Sequence, residues 1–164
     1  MHRPVLLELN NTKLSDDEFE DRCFTLLKAI GFKKVKQFGH TVNPCKGVPY
    51  PDGEAHIDDD IVIVYDCKNS SNFSPGIDQN EKLRGYINNT KDQYKEKEVY
   101  GIFIAKDFNQ IQGSEFLYCS VSDLVYILYK KLKLGIEFDL LPMRKIIKKK
   151  YPLSQRLIDN EWSE

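Results

Sequence analysis

The sequence predicts an α/β fold in which a central mixed β-sheet is sandwiched between helices. Three observations carry that expectation. Phe19, Cys23, Leu26, Leu27 and Ile30 recur at helical spacing between a capping sequence and a glycine stop. Ile61–Cys67 and Glu98–Ala105 are short runs rich in β-branched and aromatic residues, the pattern of strands buried on both faces. Helical and strand-like segments follow one another as helix, strands, helix, strand, strand, helix, helix, which places helices against one sheet.

Each element has a local reason. Ser15-Asp16-Asp17-Glu18 is a capping box, in which Ser15 accepts from the amide three residues on and Glu18 reaches back. The helix it opens stops at Gly31, which tolerates a left-handed backbone. Val35–Phe38 reads as a short strand, and Asn43–Asp52, rich in Pro and Gly, as loop. Gly53–Lys68 reads as a hairpin that turns through Asp58-Asp59-Asp60 between Ala55–Ile57 and Ile61–Cys67. Asn69–Gly76 is a loop, and Asp78–Asn88 a helix that buries Leu83, Tyr86 and Ile87. Glu98–Ala105 is a buried strand and Phe116–Cys119 a short one. Ser120-Val121-Ser122-Asp123 caps a helix to about Lys133 with Gly135 as its stop, and Pro142 opens a last helix through Ile146 and Ile147 to Lys150.

The chain of 164 residues suits a single domain spanning 1–164, with its core at about 15–150. At 41% hydrophobic and 30% charged it is neither a disordered chain nor a fibrous repeat. A formal charge of -1 argues against coating nucleic acid by bulk attraction, but the charge is unevenly spread. Residues 1–66 carry 12 acids and 8 bases, residues 67–164 carry 13 and 16. No run approaches the roughly 20 apolar residues of a membrane span, and Met1–Leu9 has no secretory pattern, so the expectation is a cytoplasmic protein without membrane contact. Cys23, Cys45, Cys67 and Cys119 are too widely spaced for a thiolate zinc site and read as reduced, small apolar residues.

The chemistry is concentrated in Asp52–Lys68. Strand side chains alternate, so Asp66 and Lys68 share a face while Cys67 turns to the packing side with Ile61, Ile63 and Tyr65. A hairpin centred on Asp59 without a bulge sets Asp52 opposite Asp66. Opposed Cβ atoms lie about 4.5–5.5 Å apart, near enough for two carboxylates to share a cation. Mg²⁺ suits such a pair: it takes one or two carboxylates, a backbone carbonyl (here that of Cys67) and waters. Lys68 would then bring positive charge beside a phosphodiester polarised by the metal. Acids at a strand end are also common without any such role.

Pro51-Asp52-Gly53 followed by Asp66-Cys67-Lys68 resembles the signature of the PD-(D/E)XK nucleases, and within them the FokI-like cleavage domains of type IIS restriction endonucleases. The likeness runs through Phe19–Phe32, through Ile77, Gln79, Glu81, Leu83, Tyr86 and Ile87, and through Ser120–Leu124, about residues 15–150. It implies a restriction-endonuclease-like αβ sandwich and Mg²⁺-dependent cleavage of double-stranded DNA, with Mn²⁺ able to substitute. It also implies that Asp52 and Asp66 bind the metal, that Lys68 is catalytic and that Glu20 helps orient metal-bound water, where the alternative is a solvated helical glutamate. Gln79 stands at an auxiliary position but equally suits helix capping. A dimer contact through Glu81 is implied, with Arg84 one place before the position, here Gly85, where these domains carry arginine.

A double-strand break then requires a second copy, or a different catalytic or recognition subunit. The alternatives are a catalytically silent nuclease-like module for DNA binding or assembly, and a Holliday-junction resolvase. His56 shares the face of Asp52 and Asp66, and serves either the site or the structure. Lys130, Lys131, Lys145 and Lys148 lie in basic C-terminal segments that either contact DNA phosphates or form solvated helix faces.

Overall fold

The computed structural model describes residues 14–39, 50–109, 111, 115–150 and 152–163. Its elements, in chain order, are α1 (Asp16–Ile30), β1 (Lys34–Gln37), β2 (Gly53–His56), β3 (Ile61–Lys68), α2 (Ile77–Gln93), β4 (Glu98–Ala105), β5 (Leu117–Ser120), α3 (Val121–Leu134), a 3₁₀ turn (Gly135–Glu137), α4 (Leu141–Ile146) and α5 (Gln155–Glu161). Most of the loop expected over Asn43–Asp52, and Cys45 with it, lies outside the described residues.

The sheet order is β1-β2-β3-β4-β5. β1, β2 and β3 form an antiparallel meander, while β4 and β5 run parallel to β3, so the sheet is mixed. Alternation along β3 divides two layers. Ile61, Ile63, Tyr65 and Cys67 pack with α1, α3, α4 and α5 into the larger core, and Val62 and Val64 pack beneath α2 with Leu83 and Phe103. The result is the αβ sandwich that the alternation of segments predicts. Cys23, Cys67 and Cys119 are buried free thiols, as small apolar residues are. No helix among the described residues is long and apolar enough to cross a membrane.

Local chemistry accounts for the element ends. Ser15 Oγ accepts from Glu18 N at 3.2 Å and Gly31 takes φ 110°, so α1 starts and stops where the sequence places it. Ser120 Oγ caps α3 in the same way through Asp123 N at 3.1 Å. Asp58 Oδ1 accepts from the amides of Asp60 and Ile61 at 2.8 and 3.0 Å, which closes the acidic turn as a side-chain mimic of a backbone turn. α2 approaches the sheet closely because Gly101 has no side chain: a Cβ there would stand 2.7 Å from Ile87 Cδ1.

The C-terminal region departs from expectation. α4 ends at Ile146 instead of continuing to Lys150, and a further helix, α5, follows. Leu153, Ile158 and Trp162 are buried in the main core, which therefore extends past residue 150. Trp162 Nε1 donates to Asp139 O at 2.9 Å and Lys130 Nζ lies 2.7 Å from Asp159, so α5 is fixed by partners distant in sequence.

Candidate active site

The hairpin register pairs Gly53 with Tyr65 and Glu54 with Val64, and its continuation sets Asp52 opposite Asp66 without a bulge. Asp52 lies one residue before β2 and is held at both ends. Its carbonyl accepts from Phe38 N at 2.9 Å and its Oδ2 from Cys67 N at 2.6 Å. In an extended strand the N–H and C=O of one residue face the same edge, so the Cys67 carbonyl faces the gap occupied by Asp52. Gly53 is required for steric reasons. A Cβ there would meet the Tyr65 hydroxyl and Lys36 O at 2.2 and 2.3 Å, because Tyr65 crosses beneath the hairpin to donate to that carbonyl at 3.3 Å.

Asp66, on the same face, is paired with Lys68 at 2.9 Å. Burial first, then the charge of Asp66 and a hydrogen bond with it, pushes the Asp52 carboxyl up to about 8, against the lowering effect of the Cys67 amide. At neutral pH Asp52 therefore keeps its proton, shared in the hydrogen bond with Asp66. Lys68 is drawn down by burial, but the charge and hydrogen bond of Asp66, together with Asp52, outweigh that and hold its ammonium above the usual lysine value.

Glu20, 8% exposed on α1, completes one wall of the cleft and adds its charge to the field on Asp52. The cleft is about 580 Å³ and has Asp52, Asp66 and Lys68 on its floor. Asn69 braces another wall by donating to Leu14 O at 2.8 Å and Asp16 Oδ1 at 3.2 Å. Among the described residues no three His, Cys, Asp or Glu side chains converge to chelate an ion by themselves. That donor set suits a hard cation that keeps several waters better than a fully caged one.

Other expected residues fall elsewhere. Gln79 caps α2, its Oε1 accepting from Gly76 N at 2.7 Å. His56 is buried four residues along the hairpin from Asp52, about 13 Å at strand rise, with its Nε2 3.1 Å from Glu54 Oε1. Lys130 is buried against Asp159, and Lys131 donates to Ala29 O at 2.8 Å at the end of α1, so both ammonium groups take part in helix packing. Lys145 is exposed, and Lys148, also exposed, lies 3.8 Å from Glu98. Glu81 is exposed, and Arg84 makes a two-pronged pair with Glu115 at 2.6 and 2.8 Å within the chain.

No family model and no curated protein matches the sequence. Among solved structures, the small subunit of the heterodimeric restriction endonuclease R.BspD6I superposes with a TM-score of 0.59, covering 88% of this chain and 86% of that one at 13% identity. The fold is restriction-endonuclease-like.

Within this restriction-endonuclease-like sandwich the cleft opens at the C-terminal end of β3, on the face covered by α2. Two residues of that helix, Lys82 and Tyr86, line it and were not among the expected site residues. Their separation of four, one helical turn, is the available signal. Reading Tyr86 only as part of a buried face obscures it.

Proposed function

We propose that the chain is a Mg²⁺-dependent endonuclease subunit that hydrolyses phosphodiester bonds of double-stranded DNA. The observation that carries the reading is the Asp52 and Asp66 pair, two opposed carboxylates sharing a proton in an open cleft, with the Lys68 ammonium against one of them. A like-charge pair of this kind fits a divalent, oxygen-seeking cation, which would replace the shared proton. Asp52, Asp66 and the Cys67 carbonyl would hold it. When bound, Mg²⁺ supplies a Lewis acid for a phosphoryl oxygen and a more acidic water; Mn²⁺ offers the same chemistry. Lys68 places a fixed positive charge where the phosphate becomes more negative, in a partly desolvated setting that strengthens its effect. Glu20, at the wall, would accept from the attacking water and orient it.

One such site cuts one strand. That the structural neighbour is a subunit of a heterodimer supports a partner, either a different subunit or a second copy, for the other strand and for sequence recognition. The test is supercoiled plasmid with Mg²⁺ or chelator. The wild type should nick it only with the metal, and Asp66→Ala and Lys68→Ala should each lose at least about 1,000-fold in rate. Undiminished nicking in both variants overturns the site. A wild type that neither nicks plasmid nor binds Mg²⁺ or Mn²⁺ by calorimetry overturns the function.

A further inference from the structure

We propose that Lys82 and Tyr86 of α2 form a grip for DNA backbone phosphate on the wall of the cleft above the carboxylate pair, an inference that rests on the nuclease reading. The cleft is acidic: Asp52, Asp66 and Glu20 line it, and Lys68 is already paired with Asp66. An anionic backbone therefore needs donors from another wall. α2 supplies them. Lys82 and Tyr86, one turn apart, project from the same side of the helix into the cleft.

Their availability in the cleft sets them apart from the cations that packing consumes. Lys130 is committed to Asp159, Lys131 to Ala29 O, Arg84 to Glu115 and Arg144 to Asp58. Lys82 and Tyr86 make no hydrogen bond or ion pair with any described residue. Their helix is nonetheless rigidly seated, because Leu83 between them is fully buried and α2 lies close over Gly101. A fixed element carrying uncommitted donors is the arrangement a binding site requires. Burial, then the charges of Asp66 and Asp52, raises the Tyr86 hydroxyl above the usual tyrosine value, so it remains a donor throughout the working pH range. The ammonium contributes charge, and the hydroxyl a directed hydrogen bond to a non-bridging oxygen.

The test is fluorescence anisotropy of a labelled DNA duplex with the whole chain in Ca²⁺, which shares the oxygen preference of Mg²⁺, across a salt series. Lys82→Ala should weaken binding about 10-fold and reduce the slope of log K against log salt by about 0.9, the loss of one phosphate contact. Tyr86→Phe keeps the packed ring, and should weaken binding about 5-fold with the slope unchanged. A lysine with only a structural role would not move the slope. Binding and slopes equal to wild type in both variants overturn the grip while leaving the nuclease reading intact if plasmid is still nicked. A wild type that does not bind the duplex overturns both.

Discussion

Asp52 and Glu54 are two residues apart, on one face of one hairpin, and both are largely buried, yet the fold treats their charges in opposite ways. Burial opposes ionisation of each. Around Glu54 it is overcome by the Tyr94 hydroxyl at 2.5 Å, His56 Nε2 at 3.1 Å and Lys36 Nζ at 3.2 Å, and the carboxyl is held below its usual value. Around Asp52 the charges of Asp66 and Glu20 add to burial, the Cys67 amide does not offset them, and the carboxyl rises. Depth alone therefore does not identify a functional acid. The distinguishing property is whether the fold has already supplied its counter-charge. Glu54 is satisfied from within the chain and knits β1, β2 and the end of α2 together; in the proposed function Asp52 would be satisfied from outside, by the cation.

The contrast can be broken at either member. Asp52→Asn should lower plasmid nicking by about 1,000-fold or more, roughly 4 kcal/mol of transition-state stabilisation, while Glu54→Gln, which keeps an acceptor, stays within about threefold of wild type. Equal losses in the two would erase the distinction. In urea unfolding the order reverses: Glu54→Ala should cost about 3 kcal/mol, because three donors lose their acceptor. Gly53→Ala, between the two acids, should cost about 2 kcal/mol, since Tyr65 and the Lys36 carbonyl must both move to admit a methyl group. Melting curves that match wild type would show that the hairpin tolerates the Cβ.

A further comparison concerns pH. Without metal, folded Asp52 keeps a proton that the unfolded chain, with the ordinary value of 3.8, has released, so between about pH 4 and the folded value of about 8 stability falls as pH rises. Asp52→Asn should remove this dependence, so that the variant's stability no longer falls between pH 5 and pH 8. Glu54 has the opposite sign: its contribution is present above its unfolded value of 4.5 and is lost as pH falls through its lowered folded value. A wild-type profile that is flat from pH 5 to 8 would contradict the shared proton.

The opposition of Asp52 and Asp66 is legible in the sequence because a regular hairpin has one arithmetic. Once the Asp58–Asp60 turn is recognised, every pair follows, and the absence of a bulge preserves the register as far as the site. α1 is legible for a similar reason, since its cap, apolar face and stop are all local. The roles of Lys130 and Lys131 are not. A basic segment looks the same whether its ammonium groups face water or, as here, Asp159 of α5 and the last turn of α1, and those partners are 29 and 102 residues away. α5 itself is short, and its buried Ile158 acquires meaning only from the core it completes. Gln79 illustrates a different limit: its sequence position allows both a cap and an active-site role, and only the structure shows the cap being made.

The residues that would hold the cation, Asp52, Asp66 and Cys67, all come from one hairpin, with the Asp52 carboxylate and the Cys67 amide it accepts from 15 positions apart. Closing so short a loop loses less chain entropy than bringing β4 alongside β3 through α2, so the hairpin is the part of the sheet that assembles most readily. The two acids are then brought together early, before the parallel strands and the outer helices can shield or stabilise them. A divalent cation bridging them would tie the two strands of this hairpin together directly, and so would stabilise the hairpin as well as the finished fold.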